Sequence, residues 1–390
     1  MVAGAHDIAR PHGPLVATGV SMSMLDRCYA VRDKLLGNSI FQRFSASFPL
    51  TRPIADKQAR ALFDLCAGFV YSQILAACVR LDLFKRLASG PKSISVLSRE
   101  LALSPAATER LLLAALSLRL VSRRGQRFGL GMLGAALNGN PGIAAMIAHH
   151  DMLYRDLEDP VGLLRCERKT TDLGQYWPYA RTATPAGLGA DDVGDYSALM
   201  SASQSFIARD VLDAYPFGRH RCLLDIGGGE GAFIAAAADR FPKLNFVLFD
   251  LPAVADRARQ RIAAAHLEAR VTIRGGSFKS DALPQGADIV SLVRLVHDHD
   301  DETVMVLLRA IHQVLPPGGG VLVAEPMAGV TGAEPVGDAY FGMYLLAMGQ
   351  GRPRRPAEIA GMLQQAGFVG VTARPTRRPM LVGLVSGSKP

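Results

Sequence analysis

The sequence predicts an α/β protein: a Rossmann-like, doubly wound parallel sheet preceded by a mainly α-helical winged-helix domain. Three observations predict it. Residues 223–231 read Leu-Leu-Asp-Ile-Gly-Gly-Gly-Glu-Gly and run into the alanine-rich stretch 232–238. That is the strand, glycine turn and helix of a nucleotide-binding unit. Strand-like apolar runs then recur at 246–250, 271–273, 287–294 and 321–325 with helical stretches between them. Such alternation implies a parallel sheet covered on both faces. Further upstream, the order is instead helix, turn, helix and hairpin.

Residues 1–55 read as a tail with short helical pieces at 31–36 and 41–44, where bases mix with apolar side chains. Pro49 and Pro53 bracket a linker. Such a segment docks on a partner subunit or lies on a membrane surface, and the short apolar stripe favours docking.

Residues 56–195 form the second division. Positions 59–87 place Leu62, Leu65, Phe69, Ile74, Leu81 and Phe84 at helical spacing, with apolar residues on most faces. A helix buried between subunits has that character. Gly90-Pro91 stops it. A short helix follows at 95–101, and Ser104-Pro105 opens the next. Residues 120–130 alternate around Gly125 as a hairpin. A winged helix either binds DNA, here through Arg110, Arg119, Arg123, Arg124 and Arg127, or dimerises on the same scaffold. The second helix is mostly Leu and Ala and offers no Asn, Gln or Lys to base edges. Dimerisation is therefore favoured and no nucleic acid is expected. Beyond it, His149-His150-Asp151 either lines a pocket floor or sits at a surface. Tyr176-Trp177-Pro178-Tyr179 is aromatic, and Gly187-Leu188-Gly189-Ala190 is expected to be mobile.

Residues 196–390 form the third division. A helix at 206–215 precedes the glycine strand. A helix at 358–366 is closed by Gly367, and 369–373 and 380–385 read as a final antiparallel pair of strands.

Composition limits the alternatives. The 390 residues are 49% hydrophobic with net charge +8, enough for two or three domains with a large core. No uninterrupted apolar run reaches the ~18 residues of a membrane span. The first residues lack a secretory pattern, so a cytoplasmic location is expected. The five cysteines are scattered, which argues against a disulfide framework and a zinc site. No carboxylate cluster has metal spacing, and no metal is expected. The basic balance fits anionic partners or plain solubility, and solubility is favoured.

The chemistry gathers at strand ends, where ligands bind in open parallel sheets. Asp250 closes the strand roughly 20 residues beyond the glycines, where an acid accepts from ribose hydroxyls. Asp225 precedes the first glycine and suits an ammonium or a sulfonium better than a pyrophosphate. The glycines lack the G-x-G-x-x-G spacing, so a dehydrogenase is disfavoured. His297 ends the fourth strand and is suited to general-base work. Asp298 either caps the next helix or shares in catalysis. Glu325 ends the fifth strand, where a carboxylate beside the histidine fixes its tautomer.

These pieces together resemble the small-molecule O-methyltransferases that use S-adenosylmethionine (SAM), the family of plant phenolic and acetylserotonin methyltransferases. Asp225 to Gly231 resembles the family's SAM loop, class I motif I. Asp250-Leu251-Pro252 resembles its ribose-side Asp-Leu-Pro. Gly275-Gly276-Ser277-Phe278 resembles its adenine-side segment, and Val296-His297-Asp298 its catalytic His-Asp. The resemblance covers residues 56–390, with the winged helix as the family's dimerisation domain. It implies SAM held by Asp225, Gly227, Gly229, Asp250, Leu251, Ser277, Phe278 and Arg294, and catalysis by His297, Asp298 and Glu325. Three departures stand out. Ser277 replaces an Asp, which leaves the adenine contact to its hydroxyl or backbone. His299 replaces a Trp. The second glutamate flanking the histidine is missing, with Pro353 nearest its place. Residues 339–349 look most like the carotenoid branch, the bacterial hydroxyneurosporene and demethylspheroidene methyltransferases. A homodimer methylating a hydroxyl, most plausibly the C-1 hydroxyl of an acyclic carotenoid, is the expectation, with peripheral membrane contact allowed. The rivals are a methyltransferase for a phenolic or antibiotic-type acceptor and a SAM-sensing DNA-binding regulator.

Overall fold

The structure is a computed structural model that describes residues 23–168, 170–177, 204 and 207–390. The tail before Ser23, the 187–190 stretch, Pro178-Tyr179 and the third division's start at Tyr196 lie outside the described residues. The chain divides into two compact units, Met1–Gln73 and Ile74–Pro390.

In the first unit, α1 (Met24–Leu36) and α2 (Ser39–Ser47) are short capped helices. Ser23 and Asp26 form a reciprocal capping box, and the Asn38 side chain accepts the first N–H groups of α2. Neither helix buries a residue. Phe44 and Phe48 stack on each other at 5.4 Å. α3 (Arg52–Arg80) leaves Leu62, Phe69 and Leu65 in the open, Leu65 at 81% exposure.

Two expectations change here. The apolar pattern predicted one helix through residue 87, but α3 stops at Arg80. Asp82 takes a left-handed φ of 53° and turns the chain into α4 (Leu83–Ala88), so that Leu83, Phe84 and Leu87 enter the core. Second, α3 is long and apolar enough over part of its length to cross a membrane. A search for unbroken runs misses it because Asp64, Gly68, Ser72 and Gln73 interrupt the stretch.

The second unit opens with the winged helix. β1 (Lys92–Ser93), α5 (Ile94–Leu101), α6 (Pro105–Ser117), β2 (Val121–Arg124) and β3 (Arg127–Leu130) follow in order, and the small sheet runs β1-β3-β2. Strand β1 is too short for its alternation to show in sequence. Cys78, Leu97, Leu112 and Phe128 join α4 in this core. Then come α7 (Met132–Asn138), α8 (Pro141–Asp156), α9 (Pro160–Leu164) and α10 (Asp172–Tyr176).

The main sheet has seven strands. They are β4 (Cys222–Ile226), β5 (Asn245–Asp250), β6 (Val271–Gly275), β7 (Ile289–Val293), β8 (Gly320–Glu325), β9 (Val369–Arg374) and β10 (Gly383–Ser388). Their order is β6-β5-β4-β7-β8-β10-β9, with β10 antiparallel to both neighbours. The last strand starts at Gly383 rather than 380, because residues 378–382 are closed as a turn by bonds from the Leu381 and Val382 N–H groups to the Arg378 carbonyl. Residues 207–214 (α11), α12 (Ala232–Arg240) and α13 (Pro252–Ala264) cover one face. α14 (Asp301–Val314) and α16 (Pro356–Gln365) cover the other. A π-helical segment, Pro335–Phe341, leads into α15 (Gly342–Met348). Strand order reverses between β4 and β7, so the crevice at their carboxyl ends is where a ligand is expected.

Candidate active site

The glycine turn after β4 is shaped by what lies under it. A Cβ on Gly228 would stand 2.8 Å from Asp225 Oδ2 and 3.0 Å from Leu248, so only glycine fits without displacement. Gly229 has a φ of 57° and open space where a side chain would project. Its N–H donates to Asp250 Oδ2 at 2.8 Å, and the Leu251 N–H donates to Oδ1 at 2.7 Å. Two backbone donors thus fix the Asp250 carboxylate, and each oxygen keeps a lone pair for a ligand hydroxyl. Burial pushes the Asp250 carboxyl up to about 6.

Gly227, Gly229, Asp250, Leu251, Ser277, Phe278 and Arg294 all line one cleft, together with Asp298. Asp225 does not. It is buried beneath the turn, where Ser291 Oγ donates to its Oδ1 at 2.6 Å and its Oδ2 has no partner. Burial pushes that carboxyl up to about 7. The inward side-chain direction at a strand end put Asp225 under the floor, a detail its place in the motif did not reveal. The Ser277 N–H is taken by Asp281 Oδ2 at 2.8 Å, which leaves the hydroxyl, not the backbone, for a ligand.

Phe278 meets the His299 ring edge-on at 5.1 Å. Burial pushes His299 down to about 4, so it is a neutral aromatic wall at working pH and does the packing a Trp would do. Trp177, Gln204 and Gln350 also line the cleft. Sequence reading did not assign them because they come from segments distant in sequence and carry no motif.

This donor set suits SAM. It offers a carboxylate for a ribose diol, aromatic rings for a purine, and open backbone at Gly229.

The second cluster is carried by the turn between β7 and α14. His297 sits on a one-turn 3-10 helix, Val296–Asp298, and is almost fully buried. Its Nε2 is 3.0 Å from Asp298 Oδ1 and its Nδ1 is 3.9 Å from Glu325 Oε2. The same Glu325 oxygen accepts the His297 backbone N–H at 3.0 Å. Burial acts to lower the imidazole, but the Asp298 and Glu325 carboxylates outweigh it and hold His297 above its ordinary value. Burial raises Glu325 in turn. Asp298 is not the helix cap: Asp300 Oδ1 accepts the Thr303 N–H at 2.7 Å and caps α14. Asp298 is thereby left to the histidine, which has Asp298 on one side and Glu325 on the other. Of the three predicted catalytic residues, Asp298 alone is in the cleft wall; His297 and fully buried Glu325 are not.

An aromatic group packs beside them. Phe341 stacks on His297 at 5.8 Å, and Tyr340 and Tyr344 lie against Phe341. Tyr340 pairs with His150 and Tyr344 with His149, each at 2.7 Å. The His-His pair of α8 thus stands against the aromatic segment beside His297. Burial pushes His149 down to about 4, which makes it a neutral hydrogen-bonding group.

Comparison with known proteins agrees with this geometry. The O-methyltransferase domain family matches residues 154–369, and the O-methyltransferase dimerisation domain matches residues 63–137. Demethylspheroidene O-methyltransferase of Cereibacter sphaeroides is 41% identical over 358 residues, covering 92% of this chain and 94% of that protein. Acetylserotonin O-methyltransferase of Mus musculus is 30% identical over 348 residues, covering 83% and 87%. The crystal structure of human N-acetylserotonin methyltransferase in complex with SAM superimposes with a TM-score of 0.70 at 25% identity, covering 85% of this chain and 97% of that one. With a nucleotide-type cleft at the sheet's switch point and these matches along nearly its whole length, the chain belongs to the SAM-dependent O-methyltransferase family.

Proposed function

We propose that this methyltransferase acts on a hydroxyl of an acyclic carotenoid, most specifically the C-1 hydroxyl, with His297 as the general base. The observation that carries the base assignment is the imidazole seated between Asp298, which lines the cleft, and buried Glu325. The acceptor class rests on the 41% identity to the demethylspheroidene enzyme and on the aromatic segment beside His297.

Bound SAM supplies a methyl group on a cationic sulfur. His297 would take the acceptor's hydroxyl proton as its oxygen bonds in line to that carbon and the carbon–sulfur bond breaks, the sulfur leaving as a neutral thioether. A tertiary alcohol is a weak acid, so proton loss accompanies the attack. Asp298 and Glu325 stabilise the imidazolium that forms. Asp250 and the glycine turn hold the donor, and Ser277, Phe278 and Arg294 complete its walls. Holding both reactants in line is worth up to ~7–11 kcal/mol, and the base adds roughly 10²–10⁴-fold.

The working species is a homodimer built on α3 and the winged helix. Leu62, Leu65 and Phe69 are exposed within the residues that match the dimerisation domain or directly beside them, and apolar surface of this extent needs a partner. Sedimentation should show one dimeric species, and Leu65→Asp with Phe69→Asp should yield monomers. The proposed location is the cytoplasm, at the membrane surface where a hydrocarbon acceptor resides; the unburied Arg- and Phe-bearing helices α1 and α2 support that contact.

The deciding experiment gives labelled SAM with a panel of hydroxylated carotenoids and phenols. Methyl transfer to the acyclic carotenoid alcohol alone is the expected result. Transfer to phenols with none to the carotenoid alcohol would favour a phenolic acceptor.

A further inference from the structure

The turn that carries His297 has little regular structure of its own. Arg294 precedes it in a left-handed conformation with φ of 56°, and only the weak bonds of a single 3-10 turn close it. Its outer carbonyls are gripped from far along the chain. The Arg354 guanidinium is completely buried. Its Nη1 donates to the Val296 carbonyl at 2.8 Å and its Nη2 to the His299 carbonyl at 2.7 Å, on either side of His297-Asp298. Nε and Nη2 also donate to Asp301 Oδ1 at 2.9 and 2.7 Å, where α14 begins. One residue pair back, the Arg352 N–H donates to the His297 carbonyl itself at 2.9 Å. The approach is close enough that a Cβ on Gly351 would lie 2.1 Å from that carbonyl oxygen.

We infer that Arg354 is a positioning residue for the methyl-transfer reaction, fixing the His297-Asp298 pair by clamping the carbonyls on either side of it. This rests on the reading of His297 as the base. A guanidinium is a rigid planar fork with five donors, so it can hold two carbonyls and a carboxylate at once. An ammonium is a single point charge and cannot span them. Burying a charged group is costly unless such partners are in place. Asp301 is largely exposed and could be solvated without it, while the Arg354 charge also favours the ionised form of buried Glu325, the other carboxylate at His297. What the clamp fixes is the position of an imidazole whose useful placement is demanding, since a misplacement of about 1 Å can cost roughly 10²-fold in rate.

Arg354→Lys keeps the charge and removes the fork. It should lower kcat by about 10- to 10²-fold, while SAM affinity and acceptor KM stay within about twofold. In a His297→Ala background the same change should cost nothing further in kcat, because the group it positions is gone. An inert Arg354→Lys, or a loss that persists in full without His297, overturns the clamp. A His297→Ala enzyme with normal turnover defeats the base reading instead, so the two failures are distinct. If Arg354→Lys fails to bind SAM, Asp301→Asn takes its place in the cycle. It weakens the carboxylate that anchors the guanidinium, so the grip on the two carbonyls should loosen and kcat should fall several-fold; no loss, or a loss that persists in full without His297, overturns the clamp.

Discussion

The two sides of the cleft are built by different means. The donor side, at the ends of β4, β5 and β6, is made of backbone: glycines that permit close approach, and N–H groups of Gly229 and Leu251 that fix Asp250. Its hydrogen-bonded part, Gly229, Asp250 and Leu251, comes from consecutive strand ends, β4 and β5. The acceptor side, at the ends of β7 and β8, is made of side chains drawn from far apart: Asp298, Glu325, Phe341 and Arg354 all converge on His297. Backbone architecture tolerates varied side chains, so the donor side is general to a cofactor. The acceptor side depends on a few distant side chains, and there a single change alters chemistry without disturbing the fold.

That contrast is open to test from both directions. The largest effect is expected on the acceptor side. His297→Ala should cut turnover by about 10²–10⁴-fold, with SAM affinity by calorimetry unchanged. Near-normal turnover would mean that alignment alone carries the reaction and would erase the distinction between the two sides. On the donor side, Asp250→Ala should weaken SAM binding by well over tenfold, about 10²-fold for a paired contact of a few kcal/mol. The kcat at saturating SAM should stay near normal. Unchanged SAM affinity would remove Asp250 from the donor site.

A pH titration sharpens the comparison, because acid should weaken both sides but through different parameters, SAM affinity on one and kcat on the other. The proposed ribose contact needs Asp250 ionised, and burial has raised its carboxyl to about 6. SAM affinity should therefore be full above that value and fall as pH drops through it, approaching tenfold per unit. Affinity flat from neutral pH to 5 would contradict it. On the acceptor side the raised His297 value places the acid limb of kcat above that of an ordinary imidazole. Asp298→Asn removes the nearer negative charge and should move that limb to lower pH. The smallest change is expected for Glu325→Gln. The amide oxygen can still accept the His297 N–H, so turnover should fall by less than about tenfold, with a shift of the limb in the same direction. A loss as large as that of His297→Ala would make Glu325 more than an orienting group.

The sequence by itself determined the parts whose physics is local. A glycine run after a strand admits few conformations, strand and helix periods show in the apolar pattern, and caps such as Ser104 carry their own signal. Hence the doubly wound sheet, the wing and the place of Asp250 in the cleft were legible, and Ser277 and His299 stood out as departures. Tertiary structure alone decided the rest. Whether Asp298 or Asp300 caps α14 depended on the turn's geometry, and the cap at Asp300 leaves Asp298 to the imidazole. Asp225 went beneath the glycine turn because side-chain direction at a strand end follows sheet packing. The long apolar run broke at Asp82 because the core could take Leu83 and Phe84 only after a left-handed step. Arg354 carries no motif and stands beside Arg352 and Arg355 in the sequence. Its place behind His297 follows from long-range packing that brings residues 351–355 against the β7–α14 turn, a closeness that no spacing in the chain encodes.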